Sequence, residues 1–205
     1  MQAASAKRPQ DRKSVIFATA AQLFSQQGYL GTSMRELAER IGIEAASIYS
    51  HYPSKEDLLR ELAWKAAEAF DTAIEPVLAH VLPPGRKLRA LLVAHVCCVI
   101  EQQASAGIFL TEWRHLSEPY RTDYLNLRDR YEGHFREVLR QGVLQGQFRP
   151  LDPRFASLIL LSAANMTAGW RNAEGPLSPE ALGQELADLL LQGVIAPTAT
   201  PPSPN

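Results

Sequence analysis

Two side-chain pairs in this sequence have the residue types and helical spacing of metal ligands. Glu112 and His115 form a Glu-x-x-His motif, and His95 lies one helical turn before Cys98. A di-iron bundle needs a second such motif and further glutamates, and a zinc site needs more ligands than one pair supplies. Each pair stands alone, so we expect no metal, and we interpret His95 and Cys98 as core residues.

The sequence shows no motif for nucleophilic catalysis or for phosphate transfer. It contains neither a glycine-rich phosphate loop nor a nucleophile elbow, the local structures that such chemistry requires. We therefore expect a protein that is not an enzyme and that carries no cofactor.

A third set of side chains suits nucleic-acid binding. They share the outer face of a short predicted helix, from about residue 44 to 51: Ala45, Ser47, Tyr49 and His51. Small or hydrogen-bonding side chains there let a helix enter the major groove of DNA and read base edges. From this pattern alone, an ordinary helical hairpin is the alternative.

The elements around that face complete a predicted helix-turn-helix. Ser33 and Glu36 form a capping-box pattern at the start of the preceding helix. Gly42 follows this helix and permits the positive φ that a tight turn often needs. Ile43 and Ile48 are expected to fill the space between the two helices.

Helical periodicity dominates the whole chain, and the sequence predicts an all-α fold of about nine helices. A three-helix domain with the helix-turn-helix comes first, and a helical bundle follows it. The predicted boundaries are a flexible basic arm over 1–10, the DNA-binding domain over 11–57, a ligand-binding and dimerisation domain over 58–196, and a disordered tail over 197–205. Proline signals predict that the last two helices span about 153–172 and 179–195.

Charge and composition agree with this organisation. The formal net charge is −1, yet residues 1–60 carry eight Lys and Arg against six Asp and Glu. A basic N-terminal end suits contact with nucleic acid, although a solvated arm has the same composition. No apolar run is long enough to span a membrane. The only cysteines, Cys97 and Cys98, are adjacent, which favours a reducing cytoplasm.

The stretch from Ile16 to Leu59 closely resembles the DNA-binding domain of the TetR family of bacterial transcriptional regulators. The matching elements occur in order and with the family's spacing: Ile16, Ala20-Ala21, Leu23-Phe24, Gly28-Tyr29, Thr32-Ser33-Met34, Ile41-Gly42, Ile48-Tyr49 and His51-Tyr52-Pro53-Ser54-Lys55-Glu56-Asp57-Leu58-Leu59. The rest of the chain is similar to the family only in its helical architecture.

This resemblance implies roles for individual residues. Thr32, Ser33 and Lys55 would bind DNA phosphates, Tyr49 and His51 would contact DNA from the recognition helix, and Arg35 would reach a base or a phosphate. The sequence departs from many relatives at Glu44. The phosphates of DNA would repel its carboxylate, so we exclude Glu44 from the DNA contacts.

An effector site is predicted in the second domain. Its candidate residues are apolar or aromatic, with a few polar groups to orient a ligand: Trp64, Phe109, Trp113, Tyr131, Asn165, Met166, Trp170 and Arg171. Ordinary core packing is the alternative for each of them. Residues 107–113, 130–136, 165–171 and 175–180 are similar to the TetR subgroup that controls fatty-acid, steroid and aromatic-acid degradation. That likeness implies an acyl-CoA thioester or a related hydrophobic carboxylic effector, with Arg171, Arg128 or Arg130 near its phosphates.

The resemblance implies a repressor that binds a palindromic operator as a homodimer and is released by its effector. The dimer is expected on the last two helices, which carry apolar residues on more than one face: Leu158, Leu161, Ala164, Leu182, Leu186, Leu189, Leu190 and Val194. Three alternatives stay open: a helical enzyme or carrier, a regulator of a neutral drug-like ligand, and a regulator that answers to a protein partner.

Overall fold

The computed structural model describes residues 9–169 and 177–194. Over these residues the regular elements are nine α-helices and two short 3₁₀ helices, so the predicted all-α fold is confirmed. The α-helices are α1 (Pro9–Gly31), α2 (Met34–Ile41), α3 (Ala45–Tyr49), α4 (Lys55–Ala79), α5 (Pro84–Glu101), α6 (Gln103–Leu110), α7 (Tyr120–Leu144), α8 (Pro153–Asn165) and α9 (Pro179–Gln192). The 3₁₀ helices are Glu112–His115 and Met166–Gly169. The predicted tail over 197–205 and most of the predicted arm lie outside the described residues.

Side-chain caps lie at the start of four of these helices, α2, α4, α8 and α9, and Ser54 caps α4 by accepting the N–H of Asp57. The hydroxyl of Ser33 accepts a hydrogen bond from the backbone of Glu36, and Asp152 and Ser178 cap α8 and α9 in the same way. Each cap satisfies an N–H group that has no partner within its helix. These caps fix where α2, α4, α8 and α9 begin.

Two prolines lie within the helices. Pro76 lies inside α4, which continues to Ala79. Pro84 starts α5, because the first turn of a helix does not need the N–H that proline lacks.

The chain divides into two compact units. The first contains the described residues up to Glu68 together with Gln102–Leu127, and the second contains Ala69–Glu101 and the described residues from Arg128 onward. Each unit has its own apolar core, with Phe24, Leu37 and Tyr124 in the first and Phe70 and Phe135 in the second almost fully buried. The functional boundary between residues 57 and 58 stays a prediction.

None of the helices that the structure describes combines the length and apolar character needed to cross a membrane.

Candidate DNA-binding surface and effector site

The helix-turn-helix is built from α2 and α3. Gly42 ends α2 with φ 76° and ψ 39°, a left-handed conformation that favours glycine. The N–H of Ile43 then donates to the carbonyl of Ala38 at 3.0 Å. Ile48 of α3 is fully buried, which fixes the face that α3 turns toward solvent.

The predicted base-reading residues lie in α3 or, in the case of His51, just after it. Tyr49 is 50% exposed, whereas Ala45, Ser47 and His51 are half-buried. Arg35 on α2 is also exposed, and its guanidinium pairs with Glu39 at 3.1 Å. A surface pair of this kind is weak, so it would not hold Arg35 away from DNA.

The predicted phosphate-binding residues Thr32 and Ser33 already make internal hydrogen bonds. Thr32 is 3% exposed, and its hydroxyl donates to the carbonyl of Gly28 at 3.0 Å. The Ser33 hydroxyl oxygen accepts the N–H of Glu36 at 3.1 Å. Both side chains therefore shape the segment before α2, and their contact with phosphate stays a prediction.

Lys55, at the start of α4, binds the backbone of the segment before α2. Its ammonium donates to the carbonyls of Tyr29 and Thr32, each at 2.8 Å, and lies 4.1 Å from the centre of the Tyr29 ring. Partial burial lowers the pKa of Lys55. The predicted phosphate contact would add to these internal bonds.

Sequence reasoning missed a set of contacts on the other side of Tyr29. Glu112 accepts a hydrogen bond from the Tyr29 backbone N–H at 2.6 Å, and the His115 ring stacks on the Tyr29 ring at 5.5 Å. The Glu-x-x-His spacing was the available signal, although it pointed toward a metal. In the structure both side chains hold Tyr29, which lies in the segment before α2.

The predicted effector residues fall into two groups. In the first unit, Trp64 and Trp113 both pack against the ring of Tyr124, with ring centres 5.6 and 6.0 Å from its own. In the second unit, Tyr131 and Asn165 come together around His95. Met166 lies at the end of α8 and is 61% exposed. Phe109 lies in α6, where its side chain is not described, and Trp170 and Arg171 lie outside the described residues.

His95 is the centre of a buried polar group. Its Nδ1 lies 2.8 Å from the Tyr131 hydroxyl, and its Nε2 lies 2.8 Å from the side-chain oxygen of Asn165. Burial lowers the pKa of His95 to about 4, although the Asn165 hydrogen bond opposes this shift. The ring is therefore neutral at pH 7, and the Asn165 oxygen fixes the proton on Nε2 because that oxygen only accepts.

The two arginines on α7 that were predicted near an anionic head group have acidic neighbours. Arg130 pairs with Asp71 at 2.9 Å, and Arg128 lies 3.6 Å from Glu132. A phosphate would compete with these carboxylates, so the structure favours neither arginine as a phosphate ligand.

An apolar surface lies along α8 and α9. Its large side chains are between 45% and 68% exposed: Phe155, Leu158, Ile159 and Leu189. Leu186, by contrast, is 8% exposed, because α9 packs closely on α5 through Gly183, where a Cβ would lie 3.2 Å from the Cα of Val93. Of the residues predicted at the dimer interface, Leu189 and Leu158 therefore face outward, whereas Leu186 belongs to the core.

Two family models match this chain. The model described as bacterial regulatory proteins, tetR family, matches residues 16–62, and the model described as tetracyclin repressor-like, C-terminal domain, matches residues 81–194. Together they account for the helix-turn-helix and for most of the second half of the chain.

Individual relatives are similar over almost the whole chain. The HTH-type transcriptional repressor KstR2 of Mycolicibacterium smegmatis is 26% identical, over 91% of this chain and 92% of its own. The structure of the TetR family transcriptional regulator PfmR from Thermus thermophilus is 35% identical, with 87% and 97% coverage and a TM-score of 0.78. The structure of AibR in complex with isovaleryl coenzyme A and operator DNA is 26% identical, with 91% and 100% coverage and a TM-score of 0.80.

Proposed function

Because this chain belongs to the TetR family of bacterial regulatory proteins, we propose that it is a repressor that binds a palindromic operator as a homodimer and leaves DNA when a hydrophobic effector binds. The main observation in favour of DNA binding is the orientation of α3, since Ile48 is buried while Tyr49 is exposed. The protein would act in the cytoplasm, where the chromosome is, and would not be an enzyme.

DNA binding rests on two kinds of contact. Tyr49, with Ser47 and His51 beside it, would read base edges, and the segment around Thr32 and Ser33 would bind phosphates. Each phosphate contact releases counterions, so the affinity should fall steeply as salt is added.

The direct experiment measures fluorescence anisotropy of a labelled duplex that carries the DNA upstream of the protein's own gene. Lys55→Ala should weaken binding to all sequences, and Tyr49→Ala should also change the preference among sites. Lys87→Ala is a matched control, since its ammonium also donates to two carbonyls, those of Leu78 and His80. Equal binding of wild type, Lys55→Ala and Tyr49→Ala at every salt concentration would refute the assigned contacts.

The homodimer is supported by the apolar surface of α8 and α9. An exposed patch of this kind on a monomer usually marks an interaction site. A twofold pairing through the same surface on both copies would match the symmetry of a palindrome, whose two halves are read by recognition helices about 34–36 Å apart.

The effector that we favour is an acyl-CoA thioester or a related hydrophobic carboxylic compound. The half-buried Asn165, which bonds the ring of His95, supplies a polar group that could orient a ligand within the second unit. The AibR structure, with its bound isovaleryl coenzyme A, supports the same class of compound. An effector acts only through a difference in its affinity for the DNA-bound and free states.

A release assay distinguishes the candidate effectors. Acyl-CoA esters, free acids and neutral hydrophobic compounds would each be added to the protein–DNA complex. Release by thioesters, weakened in Arg171→Ala, is expected. Release by neutral compounds alone would favour a drug-like ligand, and no release by any compound would favour a protein partner.

A further inference from the structure

We propose that Glu112 is a positioning residue for DNA binding: its carboxylate caps the turn at Tyr29 and so holds the segment that leads into the helix-turn-helix. The inference rests on the proposed DNA-binding function. Glu112 itself lies far along the chain, in the 3₁₀ helix after α6, and touches no DNA in this scheme.

The need for a cap follows from the backbone at Gly28. Gly28 has φ 78° and ψ 163°, which interrupts α1 before its last turn. An interrupted helix leaves N–H groups without the carbonyl four residues earlier. The N–H of Tyr29 is the first beyond the break, and Glu112 accepts it at 2.6 Å. A carboxylate at such a position makes a charge-assisted hydrogen bond, which is among the strong ones in proteins.

The backbone carbonyl of Tyr29 is held by a positive charge, the ammonium of Lys55. Lys55 donates to the carbonyls of Tyr29 and Thr32 and contacts the Tyr29 ring. His115 stacks on that ring with an interplanar angle of 18°. Tyr29 is thus fixed at its N–H, its carbonyl and its side chain, and Thr32 and Ser33 follow immediately.

A second carboxylate ties the same region together. Glu56, the neighbour of Lys55, accepts hydrogen bonds from the backbone N–H and the hydroxyl of Ser117, at 2.7 and 2.6 Å. Residues 112–117 therefore bind both the end of α1 and the start of α4. All of these contacts lie within the first compact unit, which joins residues 102–127 to the helix-turn-helix.

The arrangement gives Glu112 a specific effect on operator binding. With the carboxylate in place, the turn is ordered before DNA arrives, so binding does not have to order it. Without the carboxylate, the Tyr29 N–H loses its partner and the turn samples other conformations. By linkage, any change that withdraws Glu112 from Tyr29 weakens DNA binding by the same factor by which DNA opposes the withdrawal.

The test compares the full-length Glu112→Ala and Glu112→Gln variants. Operator affinity should fall about tenfold in Glu112→Ala and less in Glu112→Gln, whose amide oxygen still accepts but carries no charge. Hydrogen exchange at the Tyr29 amide should accelerate in the same order. Glu132→Ala is the matched control, since the side chains of Glu132 and Glu112 are 20% and 18% exposed and each faces one basic partner.

Each outcome has a distinct meaning. Unchanged operator affinity in a folded Glu112→Ala protein would overturn the positioning role, even if exchange at Tyr29 accelerates. An equal loss in Glu132→Ala would also overturn it, because the effect would then be general. If Glu112→Ala does not fold, the decision rests on Glu112→Gln, which must bind more weakly than Glu132→Ala. Failure of the wild-type protein to bind operator DNA would instead refute the proposed function.

Discussion

The Tyr131 hydroxyl and Nδ1 of His95 lie 2.8 Å apart in the core of the second unit. Because Asn165 occupies the other ring nitrogen, the imidazole has a partner on both sides although His95 is 1% exposed. A buried polar group with complete partners is tolerated, whereas an incomplete one is costly. Three helices, α5, α7 and α8, are therefore joined at a single ring.

The first prediction concerns pH. Burial lowers the pKa of His95 to about 4 from an ordinary value of 6.5. Between these two values the imidazole is protonated in the unfolded chain and neutral in the folded chain. The contribution of neutral His95 to the free energy of unfolding is fully present above pH 6.5. It is lost as the pH falls toward 4, by about 3 kcal/mol in all. Urea unfolding at several pH values measures it. His95→Gln should lose most of this dependence, and an identical pH profile for both proteins would contradict the prediction.

The second prediction concerns effector response. Asn165 is half-buried at the end of α8, and its oxygen is held by His95, which leaves its amide N–H groups as donors for a ligand carbonyl. Asn165→Asp keeps an oxygen that can accept from His95 but removes the amide donors, so it should raise the acyl-CoA concentration needed for DNA release about tenfold, with operator affinity unchanged. The release assay measures both quantities. A matching loss of operator affinity would show instead that the variant disturbs the fold.

The third prediction concerns packing against Gly142. A Cβ at this position would overlap the ring of the buried Phe148, so Gly142→Ala must displace the ring. We expect a loss of about 1–3 kcal/mol in the free energy of unfolding. Gly133→Ala on the same helix meets only the flexible end of Arg136 at 3.5 Å, and should gain up to about 1 kcal/mol. Chemical denaturation of both variants measures the contrast, which would disappear if Phe148 moved freely.

The fourth prediction concerns the oligomeric state. Leu189 is 68% exposed on α9, so Leu189→Glu should shift the protein toward monomer with little loss of fold, because a charge would be buried at the proposed interface. Light scattering at micromolar concentration measures the mass. Leu186→Glu should unfold the protein instead, since Leu186 is 8% exposed, and a change at the exposed Gln184, Gln184→Glu, should alter neither property. A monomeric wild type would refute the proposed dimer.

The sequence predicted those features that local rules determine. The cap at Ser33, the turn at Gly42 and the buried Ile48 each follow from residues a few positions apart. The role of Glu112 depends on a contact across 83 residues, which no local pattern encodes, so the Glu-x-x-His spacing was weighed only as a metal motif and set aside. His95 was expected in the core, as it is, whereas its partners Tyr131 and Asn165 were predicted at a ligand site, with core packing as the alternative.

The hydrogen bond between Glu112 and Tyr29 also constrains the order in which the protein folds. The segment that would meet DNA is complete only after a residue 83 positions later has been synthesised, and the Glu56–Ser117 contact spans another 61 positions. Such non-local contacts form late, because the intervening chain must close first. A nascent chain that ends near residue 100 therefore has its recognition helix but lacks the carboxylate that orders the segment before it, and full affinity for DNA would be reached only after the 3₁₀ helix Glu112–His115 has left the ribosome.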